Sequence, residues 1–156
     1  TILWSIWALF FSNIDSIFIA NVILSALCLG LALIAPLIDF NESHATNPLW
    51  TGHARFHLVW QVCAMIITAF LSIALLWFFY SITNHLIVIL LNYLWIFSFY
   101  ATVFSLKLFD GELNDINGVP PVFIKILGRE YEIDRNIQAI TGSFFVISYA
   151  TALFFV

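Results

Sequence analysis

Three histidines, two carboxylates and two amides fall within nineteen residues of this chain. The run reads Asp39-Phe-Asn41-Glu42-Ser-His44-Ala-Thr-Asn47-Pro48-Leu-Trp50-Thr-Gly-His53-Ala-Arg55-Phe-His57. His53 and His57 are four residues apart, so a helix would bring both rings onto one face. An i, i+4 imidazole pair suits a divalent or redox metal such as Fe, Zn, Cu or Mn. His44 with Asp39 or Glu42 would supply the remaining ligands from the turn before the helix. Gln61, one turn beyond His57, is a natural partner for a ring N–H. Ala64, Met65 and Thr68 continue that face as a narrow, mildly polar route. Arg55 suits an anionic head group or a lipid phosphate, and with Gln61 and Trp50 it forms the candidate substrate contact. Haem ranks lower as a cofactor. Two imidazoles on one helix at this spacing cannot take opposite faces of one macrocycle, so His44 or His85 would have to be the second axial ligand. The opposing expectation is plainer: at a membrane edge, His, Trp and Asn often only cap helices and hydrogen-bond head groups.

The elements that must position these groups follow from composition. The chain has 156 residues, of which 63% are hydrophobic and 9% charged, against roughly 25% charged in an ordinary soluble domain. Seventeen Phe and six Trp fit helix gaps and the head-group level of a bilayer. The expected fold is an all-α integral membrane four-helix bundle forming one domain, 1–156, with a bilayer as its first partner. With a net charge of -4 and no basic run, it has no electrostatic footprint for nucleic acid.

A span needs about 20 apolar residues, and Ser16–Ile38, Arg55–Tyr80, His85–Phe109 and Asn136–Val156 qualify. Thr1–Ser12, with Trp4 and Trp7, is too short and reads as an interfacial helix. Asn13 and Asp15 are placed to cap the first span. The link Ser81–Asn84 forces an antiparallel hairpin, so the first and third loops share one side. All five Lys and Arg lie on or beside those loops, which puts the loops in the cytoplasm and the termini outside. Pro120-Pro121 stops any helix in the third loop, which is therefore structured or interfacial. Inside the spans, Asn92 reads as an amide joining two helices, and Asn21, Ser25 and Cys28 as a small-residue packing stripe. Cys28 and Cys63 sit in apolar stretches and read as packed thiols.

The run from Asp39 to His57, with Asn41, His44, Asn47-Pro48, Trp50 and His53-Ala-Arg55-Phe-His57 in register, resembles a motif of a group of small, uncharacterised four-span membrane proteins, the DUF6640-type family. The resemblance implies that the His/Asp/Asn set is a feature of that family, and it implies no activity. Two functions stand open. One is a metal-dependent membrane enzyme, with metal ligands His44, His53, His57 and Asp39, acting on a lipid-like substrate. The other is a non-catalytic subunit or scaffold that packs against other membrane chains or itself.

Overall fold

In lipid, a backbone finds no water to bond, so an uninterrupted apolar run closes its own hydrogen bonds as a helix. A computed structural model of the chain describes residues 15–113 and 120–156 and contains four such helices. They are α1 (Ser16–Asp39), α2 (Gly52–Trp77), α3 (Ile82–Ser105) and α4 (Arg135–Phe154). Each is long and apolar enough to cross a membrane. The first-span expectation holds within a residue, but α2 begins three residues before Arg55 and α3 three before His85. Side-chain caps set both starts. Thr51 Oγ1 accepts from Ala54 N at 3.3 Å and Ser81 Oγ from Asn84 N at 3.1 Å. Asp15 caps α1 through Ile17 N at 2.9 Å, and Asp134 caps α4 through Asn136 N at 2.7 Å and Ile137 N at 3.2 Å. The interfacial helix expected at Thr1–Ser12, and the capping role of Asn13, lie outside the described residues.

Consecutive helices run antiparallel. Phe18 in the first turn of α1 meets Trp77 at the end of α2 edge to face at 5.8 Å, and the Trp77 indole N–H donates to the Ser25 hydroxyl at 2.8 Å. Tyr100 late in α3 meets Thr141 early in α4 at 2.6 Å, and Tyr93 meets Ser148 at 3.1 Å. Thr141 and Ser148 already donate to carbonyls one turn back, so in both pairs the tyrosine is the donor. Around the bundle, α1 packs on α2 and α4, and α3 packs on α4 and α2. The core is Leu24, Leu76, Val88, Ile89, Ile96, Ile147 and Ala150. Cys28, Ala32 and Ala69 form a second cluster of small side chains that lets α1 and α2 approach closely.

The third loop carries what sequence periodicity did not show. Val122–Ile126 (β1) pairs antiparallel with Arg129–Ile133 (β2), Ile126 facing Arg129 across a two-residue turn. Leu127 at φ 50° and Gly128 at φ 79° give that turn the left-handed backbone that suits the twist of a hairpin. Both this hairpin and the Phe40–Thr51 loop sit at the same end of the bundle, opposite the α2–α3 link.

Candidate functional site

The Asp39–His57 run divides into two halves with different work. In the first half, side chains close the loop. The Asn41 amide donates to the carbonyl of Ile38 at 2.7 Å and more weakly to that of Leu37 at 3.4 Å, satisfying the exposed end of α1. Its Oδ1 accepts from Ser43 N at 2.8 Å and from Ser43 Oγ at 2.6 Å. Asn47 is fully buried; its Oδ1 accepts from Leu49 N at 2.9 Å and its amide donates to the Ser43 carbonyl at 3.2 Å. This Asx turn keeps Pro48 outside α2, because Asn47 holds the backbone in a turn and Thr51 takes the cap four residues later.

His44 belongs to this half. Its Nδ1 lies 2.6 Å from Ser43 Oγ. That hydroxyl has one proton, and the Asn41 oxygen, which can only accept, takes it. The His44 Nδ1 therefore carries a proton and donates to Ser43, which leaves its Nε2 with the lone pair. The ring meets Trp50 edge to face at 5.6 Å, so Trp50 supports the histidine. Asp39 ends α1, and its backbone carbonyl accepts from Ala45 N at 2.9 Å.

The second half is free of such duties. His53 and His57, in the first two turns of α2, are both exposed, with Nε2 3.1 Å from Nε2 and ring planes at 89°. Phe56 stacks beside His53 at 6.3 Å, and Trp60 lies 5.9 Å from His57. Directly below, Phe56, Val59, Trp60 and Cys63 line an open apolar groove of about 350 Å³ on the outer face of α2. Their i, i+3, i+4, i+7 spacing was legible in the sequence. Gln61 is exposed one turn beyond His57, on the imidazole side.

The candidate residues do not gather at one point. Arg55, adjacent in sequence to the imidazoles, is half-buried and heads the line that runs through Leu58 to buried Val62 and Ala69, so it faces away from them. At 100° per residue it sits about 160–200° round the helix from either histidine. The expected four-ligand set does not converge: among the described residues no group of three or more His, Cys, Asp or Glu is placed to hold one ion. His44 stays in the loop while His53 and His57 pair on the helix, because the hydrogen bonds through Asn41 and Ser43 hold His44 there.

Compared with known proteins, the chain matches no family model, no curated protein and no solved structure.

Proposed function

We propose that this integral membrane protein is a metal-dependent enzyme acting on a lipid-like substrate at the loop end of the bundle, with His53 and His57 as the protein ligands. The Nε2 separation of 3.1 Å carries the reading. With metal–nitrogen bonds of about 2.1 Å, two nitrogens at that distance subtend about 95° at a common ion, between the octahedral and tetrahedral values. Fe, Zn, Cu and Mn all accept neighbouring imidazoles at such an angle. An ion held by two side chains keeps positions open for water and substrate, where it would polarise an oxygen or supply a metal-bound nucleophile. The apolar groove of Phe56, Val59, Trp60 and Cys63 runs from that point toward the hydrocarbon and suits an acyl or isoprenoid chain. Gln61 beside the groove is the polar contact available to the substrate. In this reading the loop end faces the cytoplasm, since all five Lys and Arg lie on or beside it.

Elemental analysis of the purified protein in detergent tests this. Near-stoichiometric metal in the wild type and in His44→Ala, lost in His53→Ala/His57→Ala, is the expected result. A metal-free wild type that also fails to take up added Zn²⁺ or Cu²⁺ would overturn the reading. A non-catalytic subunit or scaffold would then take its place. The observation favouring that alternative is that Asn41, Ser43, His44 and Asn47 already spend their hydrogen bonds on closing the loop.

A further inference from the structure

The hairpin of the third loop has two unlike faces. Residues directly opposite each other on antiparallel strands share a face, so the register groups Val122, Ile124 and Ile126 with Ile133, Tyr131 and Arg129. The other face carries Phe123 and Lys125 opposite Glu132 and Glu130. The first face is apolar or aromatic apart from Arg129, and the second is charged apart from Phe123. Among the described residues neither strand packs extensively on a helix, and the outer half of the apolar face, Ile126 and Tyr131, is exposed. A two-stranded hairpin is marginal in water unless something covers such a face.

The chain itself sets what lies beside it. Only Asp134 separates Ile133, the last residue of β2, from Arg135, the first of α4. Two residue steps reach about 7 Å, and the end of a span stands at the head-group level, so Ile133 is held close to that level. From Ile133 the strand runs outward to Arg129, about 14 Å at 3.4 Å per residue. An upright hairpin would carry Ile126 and Tyr131 into water. A hairpin lying along the membrane continues the lipid-facing surface of the spans, places the Tyr131 ring where tyrosine is favoured, and leaves Lys125, Glu130 and Glu132 to water. Arg129 fits the same placement, because its stem can follow the apolar face while its guanidinium reaches a lipid phosphate.

We propose that the hairpin is a membrane-surface element whose Val122, Ile124, Ile126, Tyr131 and Ile133 face docks on the bilayer around α3 and α4. It uses neither His53 nor His57, so it stands independently of the proposed metal chemistry.

The experiment places a nitroxide on single cysteines of the full chain, in a Cys63→Ala background with Cys28 buried. Phosphatidylcholine nanodiscs leave both bilayer surfaces open to reagents. Collisions with oxygen, which concentrates in lipid, are compared with collisions with a water-soluble nickel chelate. Leu90→Cys, at an exposed position midway along α3, is the lipid reference and reports that the bundle is inserted. Oxygen collisions should exceed nickel collisions at Ile126→Cys and Tyr131→Cys, with the order reversed at Lys125→Cys and Glu130→Cys. Nickel in excess at all four positions would overturn the proposal, since the apolar face would then stand in water. Shielding of Ile126→Cys and Tyr131→Cys from both reagents would overturn it too, and would assign the face to a protein contact, such as a second copy of the chain.

Discussion

Asn47 shows how much one buried amide can do. It is fully buried, and it satisfies the Leu49 N–H and the Ser43 carbonyl at once. Removing it leaves both backbone groups without their partner, and an unsatisfied buried group costs about 1–3 kcal/mol. Asn47→Ala therefore lowers stability by about 2 kcal/mol, whereas Glu42→Ala, at an exposed position of the same loop, changes it by less than about 0.5 kcal/mol. Equilibrium unfolding in detergent checks the pair. At this scale the sequence was partly legible. The proximity of His53 and His57 follows from spacing alone, since four residues is one turn. The separation of His44 from them does not, because it is set by the hydrogen bonds of Asn41 and Ser43 that close the loop around it. Arg55 stands apart from the two histidines for a simpler reason: neighbours in sequence point to different sides of a helix.

The helices were legible as elements because each spans a long apolar run and is opened by Asp, Thr or Ser with a free oxygen. The hairpin was not. Its strands alternate only weakly, and Leu127-Gly128 lacks the Asn-Gly or Asp-Gly signal that marks such a turn. Leu127 adopts φ 50° while fully exposed, so nothing it touches compensates the left-handed backbone. Leu127→Asn should then stabilise the hairpin by about 0.5–1 kcal/mol, and Gly128→Ala should destabilise it by about 1 kcal/mol or more. Hydrogen exchange of the Val122–Ile133 amides reads both: slower exchange in the first variant, faster in the second, with the α1–α4 amides unchanged. Equal exchange in all three proteins would mean that the turn backbone stores no strain.

On the scale of the whole molecule, four antiparallel helices place the histidine-bearing loop and the β-hairpin at one end and the α2–α3 link at the other. Cysteine substitution makes this visible. In a Cys63→Ala background, with Cys28 buried, Glu42→Cys and Glu130→Cys should react with a membrane-impermeant maleimide from the same side, and Thr83→Cys only from the opposite side. Labelling of Glu42→Cys and Glu130→Cys from different sides would break the topology. Composition made the membrane and the number of spans legible. It could not show pairs such as Tyr100 and Thr141, because side chains on separate helices become neighbours only through packing. The α2–α3 link is the four residues Phe78–Ser81. Four extended residues reach about 14 Å, less than half of a hydrocarbon core of about 30 Å. During synthesis, α3 therefore has no orientation of its own to choose: it must enter the bilayer together with α2, as a hairpin delivered in one step. A ribosome stalled just after Trp77 would hold a nascent chain whose second helix is still waiting for its partner.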